Sequence, residues 1–230
     1  MSIFKKQSIV CPGCEERSDV GIWDSLNVTI DTDMYEAVRD GSVFAYECPK
    51  CGFKSRFVYP MLYHDMDKKQ MIYLCTDSNT AKSAAKEFDD MLSGKQLSHI
   101  KEKTGVEPPD NTADMKDYTL RIVPTYDKLK EKLFIFDAGL DDRAVEIYKS
   151  IVYKMLSEQG HDLERISFFY TKERGDAKSG EIQFFRREEG SGFSEFNPEM
   201  YEEIAEFTAK TETCGEYVID EAWADKITEV

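Results

Sequence analysis

Two short cysteine pairs, Cys11-Pro12-Gly13-Cys14 and Cys48-Pro49-Lys50-Cys51, stand in the first quarter of the sequence. In each pair, the two cysteines lie three positions apart across a turn that contains proline, which lets both sulfurs face a single cation. Four thiolates from two such turns form the tetrahedral shell that Zn²⁺ adopts in structural sites. Because protein sulfur would fill every position of this shell, the sequence predicts a metal that builds structure and leaves no position for water or substrate.

Two other interpretations of the cysteines start from the same spacing. A thioredoxin-like redox site requires one Cys-X-X-Cys pair at the start of a helix, whereas this chain has two matched pairs. A rubredoxin-type iron site uses the same four thiolates, so the ligand type alone does not fix the metal. We favour structural zinc over iron, and we predict no catalytic residues and no other cofactor-binding residues. The predicted metal ligands are Cys11, Cys14, Cys48 and Cys51.

Charge and composition narrow the possible partners. The chain has 230 residues and a formal net charge of −15, which works against general attraction to phosphate backbones or anionic lipid. The excess of acid is uneven, because the first 60 residues carry 7 Lys/Arg against 9 Asp/Glu. No apolar run in the sequence approaches the ~20 residues that a membrane-spanning helix needs. We therefore expect neither nucleic acid nor a membrane as a partner.

The start of the chain bears on its redox compartment. Residues 1–6 lack the apolar run and the small-residue cleavage site of a secretory signal, so we expect the protein to be cytoplasmic, with reduced thiols. Cys75 and Cys214 do not belong to the quartet. We expect each to fill a niche in the core as a small apolar side chain, since buried thiols are common and no histidine stands nearby in sequence.

Hydrophobic periodicity predicts strands beside both cysteine pairs, then a hairpin of strands 55–63 and 71–75 and a helix over 78–92. The segment 104–117 has glycine, two prolines and no periodicity, which indicates a loop or linker. Beyond it, strands alternate with helices. The predicted class is α+β, a zinc-ribbon-like antiparallel sheet with helices followed by an α+β C-terminal module. The predicted domains are the zinc-ribbon-like module 1–103, the linker 104–117 and the C-terminal module 118–230.

In the C-terminal module, a helix from residue 141 or 142 to 159 carries a broad apolar stripe that could be buried on two sides. A hairpin of strands 166–170 and 181–185 follows, and Asn197-Pro198 is a strong helix start because proline favours the first helical position. A strand over 217–220 and a terminal helix complete the expected module. The broad stripe would also suit a homodimer, and the sequence does not decide between the two arrangements.

A histidine with two nearby carboxylates could be read as a second metal site or as a general base. His64, with Asp65 and Asp67, is interpreted as part of a solvated hairpin turn, because a catalytic site needs partners that the local sequence does not supply. The same argument applies to His99 and His161. The chain also contains no glycine-rich phosphate loop, no Gly-X-Ser-X-Gly elbow and no His-Glu-X-X-His motif, which excludes the enzyme classes that these motifs mark.

A group of three carboxylates could be read as a cation site: Asp137, Asp141 and Asp142. Carboxylates at a helix start accept hydrogen bonds from free backbone N–H groups and favour the helix dipole. We therefore interpret Asp141 and Asp142 as helix caps.

The paired Cys-Pro-X-Cys turns, together with the segments 58–65 and 133–142, resemble the bacterial CpXC domain proteins, which take their name from these cysteine motifs. The resemblance covers roughly residues 5–155. It implies a cytoplasmic metal-binding protein of unassigned biochemical role, and it adds no mechanism. Glu15 follows the first pair where many zinc knuckles have glycine, which is a small departure from the pattern.

From these observations we predict a zinc-binding protein that acts through protein–protein contacts. The alternative is an enzyme with a carboxylate-based site between the two modules, which a cleft with convergent polar groups would favour. A nucleic-acid-binding zinc ribbon ranks third because even the first 60 residues are slightly acidic.

Overall fold

The chain forms two compact units, Met1–Leu129 and Lys130–Val230. The structure is a computed structural model. It describes residues 1–105, 112–170, 180–186, 190–210 and 215–228.

In the first unit, the described residues form seven strands, five α-helices and one 3₁₀ helix. They are β1 (Ile3–Val10), β2 (Arg17–Asn27), α1 (Met34–Asp40), the 3₁₀ helix η1 (Ser42–Phe44), β3 (Ala45–Glu47), β4 (Lys54–Arg56), β5 (Met61–Asp65), β6 (Gln70–Leu74), α2 (Ser78–Leu92), α3 (Lys95–Thr104), α4 (Thr112–Met115), β7 (Thr119–Val123) and α5 (Tyr126–Asp137), which continues into the second unit.

One five-stranded sheet organises the first unit, in the order β1-β2-β5-β6-β7. β1 pairs with β2 and β5 pairs with β6 in antiparallel fashion, whereas β2–β5 and β6–β7 are parallel. β3 and β4 form a separate antiparallel ribbon. The predicted α+β class, with its cysteines beside N-terminal strands, is confirmed. The main sheet is mixed rather than purely antiparallel, because the chain enters β5 and β7 by crossover connections that leave them parallel to β2 and β6.

The predicted strand 55–63 is divided in the structure. β4 ends at Arg56 and pairs with β3, and β5 begins at Met61 and pairs with β2 and β6. Pro60 lies between the two strands and has no backbone N–H to donate to a ladder. The break lets one apolar stretch serve two different sheets.

The second unit contains the end of α5 and a helical layer with a three-stranded sheet in the order β10-β9-β8. Its core is formed by buried residues of α6, α7, α8 and the sheet, among them Tyr148, Phe168 and Trp223. The described elements are α6 (Asp142–Glu158), β8 (Leu163–Tyr170), β9 (Gly180–Arg186), β10 (Gly190–Glu195), α7 (Pro198–Thr208) and α8 (Glu221–Thr228).

One sequence prediction for the second unit is wrong, and one strand of that unit was not predicted. Residues 217–220 form no strand, and Asp220 instead accepts a hydrogen bond from the backbone N–H of Trp223 (3.0 Å), which starts α8. β10 was not predicted, because its one large apolar residue, Phe193, is exposed at the edge of the sheet. The predicted start of α7 is confirmed, since the Asn197 side chain accepts from the N–H groups of Glu199 and Met200.

The predicted linker 104–117 contains α4, and its residues 106–111 lie outside the described part of the chain. The strand that follows, β7, pairs with β6 in the sheet of the first unit. The module boundaries derived from the sequence stay a prediction.

Candidate metal centre

The first cysteine pair occupies the turn of the β1–β2 hairpin. The backbone N–H of Cys11 donates to the carbonyl of Glu16 (2.9 Å), and the N–H of Glu15 donates to the carbonyl of Cys11 (2.8 Å). The N–H of Gly13 also donates to the Cys11 Sγ (3.3 Å). These bonds fold the chain into a knuckle that turns both sulfurs to one side.

The second pair repeats this pattern at the turn of the β3–β4 ribbon. The N–H of Cys48 donates to the carbonyl of Phe53 (2.9 Å), and the N–H of Gly52 donates to the carbonyl of Cys48 (2.9 Å). The hydrogen bonds join the same relative positions as in the first pair. The two knuckles are therefore local copies of one backbone structure.

The residue after the last cysteine of each knuckle has a left-handed backbone. Gly52 has φ = +72°, and Glu15 has φ = +59° at the corresponding position. A side chain makes this conformation less favourable by about 1–2 kcal/mol, so the first knuckle holds Glu15 at a cost that the second avoids. The backbone of the first knuckle is therefore more strained at Glu15 than that of the second knuckle is at Gly52.

Glycine stands at a different position of the first knuckle for another reason. A Cβ atom added at Gly13 would lie 3.0 Å from the Cβ of Phe53, which belongs to the second knuckle. The second knuckle has Lys50 at the equivalent position. Gly13 therefore permits the close approach that brings the two pairs together.

The four sulfurs converge. The Sγ atoms of Cys11 and Cys51 are 3.7 Å apart, those of Cys14 and Cys48 are 3.8 Å apart, and all four lie within 4.8 Å of one another. A tetrahedral shell with Zn–S bonds of ~2.3 Å has sulfur–sulfur edges of ~3.8 Å. The spacing of the thiols therefore fits a single tetrahedral ion.

The sulfurs lie at the border of a small apolar cluster. Cys11 and Cys48 are buried, Cys14 is partly buried and Cys51 is exposed. Tyr46 packs against the two buried cysteines, and its hydroxyl forms a hydrogen bond with that of Ser18 (2.9 Å). Further apolar side chains that pack against this cluster are Ile9, Val20 and Phe57.

Electrostatics also indicates that this group suits a cation. The backbone N–H groups of Cys51 and Lys50 lower the pKa of the Cys48 thiol to about 6. The N–H of Glu16 lowers the pKa of Cys14, but burial and the neighbouring sulfurs raise it to about 12. Several thiolates at this separation repel one another, and a divalent cation removes that repulsion.

Other sequence candidates do not join this group. Among the described residues, the four cysteines form the single set of at least three His, Cys, Asp or Glu side chains close enough to share a metal ion. His161 lies outside it, and the side chain of His99 is outside the described part of the chain. The carboxylate of Asp65 is buried and accepts from the N–H of Lys68 (3.0 Å), so it stabilises the hairpin turn.

His64 lies in β5 and not in the turn, and it is half-buried. The Asn27 amide is oriented by the N–H of Thr29, which donates to its Oδ1 (3.0 Å), so its Nδ2 donates to His64 Nδ1 (3.4 Å). The other ring nitrogen, Nε2, is 3.4 Å from the Tyr118 hydroxyl. Burial lowers the pKa of His64, which agrees with a neutral ring that accepts at Nδ1.

The aspartates at the start of α6 have different roles. Asp141 caps the helix as predicted, because its side chain accepts from the N–H of Arg143 (2.9 Å). Asp142 is 1% exposed, and its carboxylate lies 2.9 Å from the Lys132 ammonium. The capping interpretation of Asp142 is therefore corrected, since the residue belongs to a buried ion network.

That buried ion network was missed in the sequence. Lys132 lies 3.0 Å from Glu146, Lys149 lies 2.7 Å from Glu146 and 2.9 Å from Glu131, and all of these side chains are at most 5% exposed. Asp142, Glu146 and Lys149 recur at helical spacing on one face of α6. This spacing could have indicated the ion network in the sequence. Charged residues at such intervals usually lie on a solvent-exposed helix face, however.

Cys75 is buried, and burial raises the pKa of its thiol to about 11, as suits an unreactive core residue. Cys214 lies outside the described residues.

Helices of the described segments are each too short or too polar to cross a bilayer.

Comparison with known proteins gives one match. A family model described as CpXC protein matches residues 9–149, which is more than half of the chain and includes all four cysteines. No curated protein and no solved structure matches the chain. The matched range lies within the part of the sequence that carried the resemblance. The chain therefore belongs to the CpXC protein family.

Proposed function

We propose that the protein binds one structural Zn²⁺ ion through Cys11, Cys14, Cys48 and Cys51. The observation that carries this proposal is the convergence of four sulfurs from two matched knuckles, with separations of 3.7 and 3.8 Å. The ion would join the β1–β2 hairpin to the β3–β4 ribbon, which share no strand pairing within the described residues. Because all four ligands are protein sulfur, the ion would supply charge and rigidity without an open position for substrate.

The biological role that we propose is contact with other proteins in the cytoplasm. Thiolate ligands have to remain reduced, which a cytoplasmic location ensures. Val10 and Phe53, next to the two knuckles, are 53% and 37% exposed, so apolar surface is available beside the metal site. The alternatives from the sequence, an enzyme with a carboxylate-based site, a nucleic-acid-binding ribbon and a homodimer, stay predictions.

Metal analysis of the purified protein tests the zinc proposal. We expect one zinc per chain by mass spectrometry of the metal and no visible absorption of the kind that ferric thiolates give. Cys48→Ser should lose the bound zinc, whereas the matched variant Cys75→Ala should retain it, because Cys75 lies outside the quartet. Stoichiometric iron in the wild-type protein, or full zinc content in Cys48→Ser, would refute the proposal.

A further inference from the structure

The strand β1 forms one edge of the five-stranded sheet in the first unit. All of its residues except Ile9 are exposed. Within the described residues, β1 pairs with β2 alone, and no other backbone hydrogen bond reaches it. An exposed strand edge is a template on which another extended chain can pair. This edge has no role in the proposed metal binding.

Alternate residues of β1 direct their backbone groups toward β2 and away from it. The N–H of Cys11, just after the strand, donates to the carbonyl of Glu16, just before β2 (2.9 Å). Trp23, which faces Phe4, gives its N–H to the Tyr59 hydroxyl instead (3.3 Å). Because bonded and non-bonded positions alternate in an antiparallel pair, the even-numbered residues of β1 point their N–H and C=O groups outward. They are Phe4, Lys6, Ser8 and Val10.

The side chains of these outward residues share one face of the sheet. Phe4 packs edge-to-face against Trp23 of β2, with ring centroids 4.9 Å apart, and its ring covers Gly21. Phe4 and Val10 are nevertheless each 53% exposed. The face therefore has an apolar group at each end of β1.

Two opposite charges lie between these apolar ends. Lys6 of β1 and Asp19 of β2 have no ion pair or hydrogen bond through their side chains within the described part of the chain. The lysine on the other face, Lys5, is already paired with Asp24 (2.7 Å). A partner that fits this edge has to offer an acid to Lys6, a base to Asp19 and apolar groups to both ends.

A second copy of β1 meets these requirements in one register. Two identical strands that pair antiparallel are related by a two-fold axis, at which one residue faces itself. An axis at either lysine sets like charges directly opposite, which is destabilising. An axis nearer one end of the strand leaves Phe4 or Val10 without a residue opposite. An axis at Gln7 pairs all four outward residues, because Phe4 faces Val10 of the second copy and Lys6 faces its Ser8.

This register also brings the unpaired charges of the two copies together. Ser8 of the second copy lies between Lys6 and the second copy's Asp19, because Ser8 and Asp19 are neighbours across the β1–β2 hairpin. Two strand spacings of about 4.8 Å separate the backbones of Lys6 and that Asp19, a distance that the two side chains can span. The two-fold axis forms this contact twice. The charges are therefore complementary between two copies of the chain.

We propose that two copies of the chain associate through their β1 edges, antiparallel about Gln7, and join their five-stranded sheets into one. The pairing rests on the protein-contact role in the proposed function and names the partner, but it requires no ion. It uses β1 and not the apolar stripe of α6. Because Val10 precedes Cys11, the first knuckle of each copy lies beside Phe4 of the second copy.

Sedimentation velocity of the full-length protein between about 1 and 100 µM tests the association. We expect a reversible dimer with a dissociation constant on the order of 10 µM, because a strand edge is a small interface. Zinc content is measured on the same samples. A monomer at every concentration, in protein that carries its zinc, would overturn the pairing and leave the metal proposal intact. A dimer without zinc would support the pairing and refute the metal proposal alone.

Opposite charges placed at the axis test the register. Gln7→Glu and Gln7→Lys each set like charges opposite, so each variant alone should dimerise about tenfold more weakly than the wild type. An equal mixture of the two should form a heterodimer at least as tight as the wild-type dimer. The matched changes Gln159→Glu and Gln159→Lys alter an exposed residue at the end of α6 and should leave the dimer unchanged. Equal effects at both positions, or none at Gln7, would assign the dimer to another surface.

The outward backbone groups are tested at Ser8. Ser8→Pro removes one outward N–H and leaves the hydrogen bonds to β2 in place, so it should weaken the dimer more than tenfold. Ser8→Ala keeps that N–H and should dimerise like the wild type. Far-UV circular dichroism and zinc content show that both variants are folded. An unchanged dimer in folded Ser8→Pro would contradict pairing through this edge.

Discussion

The two units of the chain each gather ionisable side chains at one place, but they balance the charge differently. In the first unit, four thiols converge from two hairpin turns, and this group contains no positive side chain of its own. In the second unit, Lys132 and Lys149 lie among buried carboxylates and supply the counter-charge from within the fold. If the proposed ion binds, the first cluster takes its counter-charge from outside the chain, whereas the second takes it from lysines of the fold.

The same difference decides how visible each cluster is in the sequence. The cysteines are recognisable because metal ligation requires a fixed spacing within each turn, and no other common structure needs two such pairs. The ion network uses lysine and glutamate at helical intervals, which surface helices also show. Whether these charges are buried depends on what packs against them, and Glu131 lies on a different helix from Glu146 and Lys149.

The largest expected effect comes from breaking the first cluster with Cys48→Ser. Structural zinc contributes about 10–16 kcal/mol of apparent binding free energy, which is comparable to the stability of a whole domain. We expect the first unit, Met1–Leu129, to unfold and the second unit to stay folded. Hydrogen–deuterium exchange should show loss of protection in the first unit only, including β7, which loses its pairing with β6. Native near-UV circular dichroism with retained metal would contradict this expectation.

Breaking the second cluster should have a smaller effect. Lys149→Met removes the ammonium shared by Glu131 and Glu146 and leaves buried carboxylates without that partner, at a cost of about 3–5 kcal/mol. Urea denaturation measures the change, followed by tryptophan fluorescence in a Trp23→Phe background so that Trp223 alone reports. The control Lys154→Met alters an exposed lysine of the same helix and should change the free energy of unfolding by less than about 0.5 kcal/mol. Similar losses in both variants would mean that burial of the network is not what stabilises the unit.

A comparison of the two knuckles tests the strain at a single equivalent backbone position, Glu15 in the first and Gly52 in the second. Glu15→Gly relieves the left-handed strain of the first knuckle, and we expect a gain of about 0.5–1 kcal/mol after the extra freedom of glycine in the unfolded chain is subtracted. Gly52→Glu introduces the same strain into the second knuckle and should cost about 1 kcal/mol. Denaturation of the zinc-loaded variants gives both values. A loss of stability in Glu15→Gly would show that the Glu15 side chain makes a contact worth more than its strain.

The smallest effect concerns pH. Burial lowers the pKa of His64 from 6.5 in the folded state, so the unfolded chain binds the proton more readily. The contribution of His64 is therefore complete above pH 6.5 and is lost as the pH falls below that value. We expect His64→Gln to flatten the decline of stability between about pH 7 and 5.5. Zinc release in acid affects both proteins alike, so identical slopes would assign the whole decline to the metal centre.

The sequence predicted the bounds of the helices and strands better than it predicted which strands pair. The bounds of α2 agree with the periodicity, because the helix carries a regular apolar pattern between clear end signals. The pattern could not show that β2 and β5 pair in parallel, since strand order depends on the packing of the whole unit. Pro60 lies inside the predicted strand 55–63, and a proline within a strand indicates an edge or a break, which is where the structure divides it.

The parallel pairing of β6 with β7 sets an order of events during synthesis. Gln70 pairs with Thr119 and Leu74 with Val123, so the five-stranded sheet cannot close until Val123 has been added. The cysteine quartet is already complete at Cys51. At a synthesis rate of about 5–20 residues per second, the chain between these two points takes on the order of 4–15 s to make. During that interval, a nascent chain that captures its ion has to hold it before the last strand of the five-stranded sheet has been made.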